Sequence, residues 1–411
     1  MLVLQPASKP AHNKGRIGIA IAGGGPIGGM YELGALRALE VAIEGLDLNR
    51  LDVYVGVSSG AFLAASFVNR FSTAEICQIF ISDNHPEIQF SPSMFLKPAF
   101  LEYGKRAASL PALAFDWWKN AIIDPSGTQL SELFSRFTSA VPTGLFDNAP
   151  IEKFLNTIFN GPGRSNDFRK LDRPLYIVAV DLDRGKAVRF GSEGWDNVPI
   201  SQAVQASSAL PGLYPPVDIN GHHFVDGALR RTMHASVILD YGIDLMIGIN
   251  PFVPFNAKTK DSSTTNSAKL AEGGLPMVLS QTFRTLLQSR MQVGLAKYAQ
   301  QYPETDQLVL EPDEDDAEMF FTNVFSYSSR HQVCEHAFQN TLRDLKNRAD
   351  ELAPMLAKHG LILNLAVLND PKISLLDGII PAQHRTAATA QLWHNLNDIE
   401  HRLNKRKAKA T

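Results

Sequence analysis

Residues 56 to 60 read Gly56-Val57-Ser58-Ser59-Gly60, directly behind the apolar run Val53-Tyr54-Val55 and ahead of the helix-like stretch Ala61-Phe62-Leu63-Ala64-Ala65. The pattern predicts a strand, a sharp turn and a helix, with a serine at the corner. Such a corner strains the serine backbone and crowds its neighbours, so glycines are needed where a Cβ would clash; Gly56 and Gly60 supply that room. The turn lifts the Ser58 hydroxyl above the end of a sheet and aims the positive end of a helix dipole at whatever reacts there. An acyl-transfer nucleophile is presented in this way. Taken alone, Ser58 reads equally well as a helix N-cap, because serine is among the best capping residues.

A second glycine motif shifts that balance. Gly23-Gly24-Gly25-Pro26-Ile27-Gly28 follows the apolar run Ile17-Gly18-Ile19-Ala20-Ile21-Ala22 and precedes a helix whose Leu36, Leu39 and Ile43 form an apolar stripe. Glycines at a helix start expose backbone N–H groups at the positive end of the dipole, suited to a phosphate or to the oxyanion of a tetrahedral intermediate. Gly23, Gly25 and Gly28 formally match the dinucleotide fingerprint, which also requires an acidic residue at the end of the next strand. That strand ends instead in Gly56-Val57-Ser58, and no Gly-Lys-Ser/Thr follows the glycines, so the nucleotide readings fail. An oxyanion loop at Gly23, Gly24 and Gly25 and a nucleophile at Ser58 make a coherent acyl-transfer site.

A serine nucleophile needs a base, and the histidines in suitable surroundings are His222, His223 and His234. More telling is Asp226-Gly227-Ala228 at the end of the strand-like His222-His223-Phe224-Val225, because an aspartate held by a tight glycine turn could approach the serine itself. By itself an Asp-Gly pair marks a hairpin turn, and Asp377-Gly378 is read as one. With the other motifs, the chain resembles the patatin-like phospholipases, marked by a G-G-G loop, a G-x-S-x-G serine and a D-G-[GA] aspartate in that order. The stretch Ala206-Ser207-Ser208-Ala209-Leu210-Pro211-Gly212-Leu213-Tyr214-Pro215-Pro216 is similar to the segment this family carries before its aspartate, and the resemblance runs from about Arg16 to Pro251.

The resemblance implies an α/β chain with a three-layer αβα patatin-like fold, a mostly parallel central sheet and a helical C-terminal extension. It implies a serine–aspartate dyad without a catalytic histidine: Ser58 as nucleophile, Asp226 as base, an oxyanion hole at Gly23, Gly24 and Gly25, and Gly28, Gly56, Gly60 and Gly227 as motif glycines. The substrate class would be lipid esters such as phospholipids and lysophospholipids, cleaved by a phospholipase A or lipid acyl hydrolase, with no metal and no organic cofactor. Two positions depart from the family pattern. Ile27 stands where Arg or Lys is common, which leaves the oxyanion to the N–H groups of Gly24 and Gly25 and the helix dipole; Thr232 and His234 stand where Asn and Pro are frequent. An acyltransferase or thioesterase could use the same residues, and Ile27 keeps a non-catalytic lipid-surface scaffold in view.

Length and charge agree with such an enzyme. The 411 residues suffice for one large domain or a domain plus an extension, and a net charge of −3 argues against nucleic acid as partner. Cys77 and Cys334, far apart in sequence, fit a reducing compartment. No signal peptide or transmembrane helix is read, so the expected location is cytoplasmic, with peripheral contact at a lipid surface. The organisation expected is a flexible N-terminal arm at 1–14, a catalytic domain at 15–255, a polar loop at 256–270, and a mainly helical region with a basic tail at 271–411. Within the catalytic domain, residues 88–123 are dense in aromatics, including Phe90, Phe95, Phe100, Trp117 and Trp118, interrupted by prolines. They read as a lid or lipid-contact segment, or as ordinary core. The acidic run 311–316 reads as solvated charge, and nothing in the sequence specifies the oligomeric state.

Overall fold

The apolar runs do become strands, and their alternation builds two separate cores. The computed structural model describes residues 1–9, 15–82, 88–100, 142–256, 272–321 and 327–379, with a few short pieces between these ranges. Its strands are β1 Leu2–Gln5, β2 Ile17–Ile21, β3 Ile43–Glu44, β4 Val53–Gly56, β5 Leu175–Asp181, β6 Lys186–Phe190, β7 Val217–Ile219, β8 His222–Asp226, β9 Leu245–Ile249, β10 Asp306–Leu310 and β11 Ile362–Leu363. The central sheet runs β1-β10-β9-β2-β4-β5-β8-β7, with β6 also paired to β5. β10, β9, β2, β4 and β5 are parallel neighbours, while β1, β6, β7 and β8 add antiparallel pairs at the flanks. β3 and β11 form a small separate ladder.

Side chains alternate across a strand, so a buried parallel sheet needs cover on both faces. Ile19, Ile21, Ile247 and Ile249 point into a core shared with α1 Gly25–Ala42, α2 Ser59–Val68 and the helix Tyr327–Asn347. Ala20, Val53, Val55 and Met246 point the other way, against Leu287, Met291 and Leu295 of the helix Gly274–Gln301. This is the three-layer αβα arrangement with a mostly parallel sheet that the sequence predicts.

One expectation needs revision, and the structure adds detail to others. Residues 2–5, placed in a flexible arm, form an edge strand with Leu2 opposite Leu310, and Leu2 is buried. Four residues give too few alternations for period-two reading, so only the tertiary partner reveals the strand. Beyond residue 271 the described elements are mostly helices, and β10 adds a fully buried strand beside β9. Cys77 and Cys334 are free, both buried, and their thiols are hydrogen-bonded to each other despite their separation in sequence. Phe90 packs against Phe80, Phe95 and Phe154 at centroid distances of 4.4, 5.6 and 5.7 Å, so this part of the aromatic stretch belongs to the core, while Phe100 is exposed. Trp117 and Trp118, residues 257–269 and the basic tail lie outside the described residues.

The layers are held at close range where α1 crosses the helix Tyr327–Asn347. A Cβ on Gly34 would lie 2.2 Å from the Cys334 carbonyl oxygen and 3.0 Å from Ala337 Cβ. Glycine to alanine inside a helix ordinarily stabilises by roughly 0.5–1 kcal/mol. At Gly34 the backbone contact reverses the sign, and Gly34→Ala should destabilise by about 1–3 kcal/mol, the range for overpacking. Gly294, in the helix Gly274–Gln301, meets nothing closer than 3.9 Å, so Gly294→Ala should stabilise. Urea unfolding of the two variants checks both signs.

Candidate active site

The site forms because two strands share one edge of a third. β6 occupies one edge of β5 from Ile177 to Asp181. Along the other edge β4 runs parallel and ends with Gly56 opposite Ile177, while β8 arrives antiparallel and ends with Asp226 opposite Ala179. The two strands run toward each other and stop two residues apart on β5. The turn after β4 carries Ser58, and β8 ends in Asp226, so residues far apart in sequence meet at one point.

Ser58 adopts φ 53°, ψ −122° between β4 and α2, a conformation costing on the order of 1–3 kcal/mol outside glycine. Its neighbours account for that conformation. A Cβ on Gly60 would lie 2.3 Å from the Ala22 carbonyl oxygen, and one on Gly56 would lie 2.4 Å from that of Gly60, so the helix can start this close to the strands only with glycine at both positions. Ser207, fully buried, accepts from the Ser58 backbone N–H at 2.8 Å and donates to the Val178 carbonyl at 2.6 Å, tying the turn to β5. This serine lies in the segment singled out before the aspartate, but no sequence signal assigns it the task.

The Ser58 side chain is hydrogen-bonded to the Asp226 carboxylate, and the Ala228 N–H donates to Asp226 Oδ1 at 2.9 Å. Gly227 leaves no room for a side chain, since a Cβ there would approach the Val178 carbonyl oxygen to 2.1 Å. Both Ser58 and Asp226 are buried. Burial pushes the Asp226 carboxyl up to about 6, opposed by the hydrogen bonds from Ala228 and Ser58. Such a carboxylate is ionised at neutral pH yet remains a far better proton acceptor than an exposed aspartate.

The glycine loop closes over the serine. A methyl on Gly23 would sit 2.7 Å from Ser58 Cβ and 3.5 Å from its Oγ. Gly24 is the N-cap of α1 and Gly25 its first residue, with φ +61°. At these positions the N–H groups have no acceptor within the helix. Gly24 and Gly28 both abut Pro251, at 2.5 and 3.0 Å for a hypothetical Cβ. Ile27 packs against the core. A cation lies behind the loop instead: Arg284 is buried and donates to the carbonyls of Pro251 and Val253 at 3.3 and 3.2 Å.

The histidines are elsewhere engaged. His222 faces Asp181 at 3.2 Å and His223 pairs with Asp183 at 3.2 Å, both at the start of β8. Four residues of strand, about 13 Å, separate His222 from Asp226. Buried His234 hydrogen-bonds the Gly227 carbonyl at 3.2 Å, and burial lowers its imidazole to about 4, so it braces the aspartate turn as a neutral ring. Asp181, Asp183 and His222 are the described residues that converge as metal-type ligands. Arg184 lies 3.8 Å from Asp181 and His223 N–H donates to Asp183, so cationic and hydrogen-bond partners already face these carboxylates.

Glu32 has no signature in the sequence. It is completely buried on α1, accepts from Ser59 Oγ at 3.0 Å through Oε1, and leaves Oε2 without a hydrogen-bond partner. Burial raises its carboxyl well above the usual range, opposed by the hydrogen bond from Ser59. A glutamate in a helix interior ordinarily signals a solvated face, so nothing local marks this one.

A chain from Invertebrate iridescent virus 6 described as "Probable lipid hydrolase 463L" is 22% identical over 227 residues, covering 54% of this chain and 63% of that protein, less than two thirds of its length. Among solved structures, VipD from Legionella pneumophila matches 65% of this chain and 55% of its own at 17% identity and a TM-score of 0.34. ExoU, in complex with SpcU of the Pseudomonas aeruginosa type III secretion system, matches 73% of this chain and 54% of that chain at 14% identity and a TM-score of 0.28. The profile of the patatin-like phospholipase family matches residues 19–238, more than half of the chain, and the protein belongs to that family of lipid hydrolases.

Proposed function

We propose that this protein is a serine lipid acyl hydrolase of the phospholipase A type, acting on phospholipids, lysophospholipids or related lipid esters through Ser58 and Asp226. The observation that carries this reading is the strained turn at Ser58, with its hydroxyl on a buried carboxylate raised to about 6. Ser58 Oγ forms a bond to the ester carbonyl carbon as its proton passes to Asp226. The carbonyl oxygen becomes an oxyanion facing the N–H groups of Gly24 and Gly25 at the positive end of α1. Collapse of that intermediate breaks the ester C–O bond, and the proton on Asp226 goes to the leaving alcohol. Water then attacks the acyl-serine with Asp226 again accepting the proton, which releases a fatty acid and restores the hydroxyl. An acceptor other than water at this last step would make the same site an acyltransferase. Product analysis by mass spectrometry over phospholipids, lysophospholipids, acylglycerols and acyl thioesters identifies the substrate and separates free fatty acid from transferred acyl groups.

The assigned roles set the outcome of mutation. Ser58→Ala and Asp226→Asn should each lower kcat by about 10³-fold or more in a folded protein, because neither partner works without the other. His222→Ala and His223→Ala should stay near the parent rate. Severe loss in a histidine variant beside a mild Asp226→Asn would replace the dyad with a histidine triad.

Asp226 must be ionised to accept the proton, so kcat/KM should fall about tenfold per pH unit below its raised value near 6 and level off above it. Stability should respond in the opposite sense. A carboxyl whose folded value lies above its unfolded one favours folding while protonated, and this contribution is lost as pH rises from about 4 through 6. Keeping the buried charge above that window costs on the order of 3 kcal/mol. Asp226→Asn should therefore be inactive yet more stable than the parent at pH 8, with the advantage vanishing near pH 4. Thermal unfolding at the two pH values measures the difference, and equal midpoints at pH 8 would remove the buried charge from the explanation.

A further inference from the structure

The helix Gly274–Gln301 is apolar on two opposite faces. Leu287, Met291, Leu295 and Tyr298 are buried against the sheet. Leu275, Leu279, Phe283, Leu286 and Val293 are exposed, from 38% for Phe283 to 69% for Leu275 and Val293. At about 100° per residue the exposed set fills one arc roughly opposite the buried set, where a surface helix ordinarily carries charge. An apolar patch of this kind marks an interaction site.

Charge and position indicate what the patch meets. Between Gly274 and Gln301 the sequence has no Asp or Glu, in a chain with 42 of them, and its charged residues are Arg284, Arg290 and Lys297. Arg284 is buried, whereas Arg290 and Lys297 are exposed and lie within or beside the apolar arc. The middle of the helix is anchored at the end of the sheet where Asp226 lies. Arg290 donates to the Leu229 carbonyl at 3.0 Å, Thr232 Oγ donates to the Leu287 carbonyl at 3.2 Å, and Arg284 holds the segment after β9. Leu229 and Thr232 follow Asp226 within a few residues, so the patch and the dyad belong to the same end of the molecule.

We propose that the exposed face of the helix Gly274–Gln301 docks the protein on an anionic lipid surface, with Leu275, Leu279, Phe283 and Leu286 entering the interface and Arg290 and Lys297 meeting the headgroups. This rests on the lipid hydrolase reading, and it gives that reading a means of reaching aggregated substrate. Apolar insertion holds at every ionic strength. Attraction from the two cations weakens as salt shortens the Debye length.

The test uses full-length protein carrying Ser58→Ala, so that vesicles stay intact, and sedimentation with phosphatidylcholine vesicles with and without phosphatidylglycerol. The starting protein should bind the anionic vesicles. Adding Leu279→Asp and Leu286→Asp should weaken binding at all salt concentrations by about tenfold or more. Adding Arg290→Gln and Lys297→Gln should remove only the salt-sensitive part. In the Ser58 background both pairs should hydrolyse a short soluble ester at the parent rate. Undiminished vesicle binding by the aspartate pair overturns the proposal. So does a lowered thermal midpoint without vesicles, which would mean that the chain itself covers this face, or conversion of a dimer to a monomer in ultracentrifugation, which would assign the face to a second copy. Failure of the parent to cleave any soluble ester would instead strike at the hydrolase reading, which vesicle sedimentation does not measure.

Discussion

The hydrogen bond between Ser58 and Asp226 exists because β4 and β8 are stopped at nearly the same place on one edge of β5, with Gly56 opposite Ile177 and Asp226 opposite Ala179. Each strand fixes its final residue by ladder hydrogen bonds, so the geometry of the pair is set by the sheet and not by flexible side chains. Ser207 adds a second tie, joining the Ser58 amide to the Val178 carbonyl on the strand that also positions Asp226. A site built on strand ends and helix starts keeps its donors and acceptors in place before substrate arrives, the condition under which electrostatic stabilisation of a transition state is strongest.

That arrangement concentrates several unfavourable terms in a small volume. Ser58 sits in a left-handed conformation, Asp226 is ionised out of water at neutral pH, and Glu32 keeps one carboxyl oxygen without a partner. Cores on both faces of the sheet hold the strands firmly enough to maintain these states. Stabilising substitutions are accordingly expected at Ser58 and Asp226 themselves, as is common where strain and buried charge are concentrated. Ile27 packs against the core, so no side-chain cation stands at that place in the loop; Arg284 is buried behind it, through Pro251.

Much of this was legible in the sequence where backbone geometry restricts residue choice. Gly56, Gly60 and Gly227 are glycines because carbonyl oxygens lie where a Cβ would be, and such constraints leave motifs at fixed offsets. The parallel strands were legible too, as unbroken apolar runs. Features determined by distant partners were hidden. β1 and β10 are short and become strands only beside each other and β9, and the paired cysteine thiols are 257 residues apart in sequence. Glu32 and Ser207 have no local signature because their roles depend on Ser59 and on Val178. The helix Gly274–Gln301 is legible as a helix, but its second apolar face is not, because helical periodicity separates one face from the other only when the two differ in polarity.

The central claim is that Ser58 is activated by a buried carboxylate with a raised proton affinity, and the rate of covalent labelling by a fluorophosphonate tests it directly because labelling needs no lipid and no turnover. Intact-mass and peptide analysis should find a single adduct on Ser58, absent in Ser58→Ala. Its rate should climb with pH through about 6 and reach a plateau, and Asp226→Asn should lose both the rate and the inflection. Labelling at another residue, or a Ser58 rate that ignores Asp226 and rises only at alkaline pH, would contradict the claim.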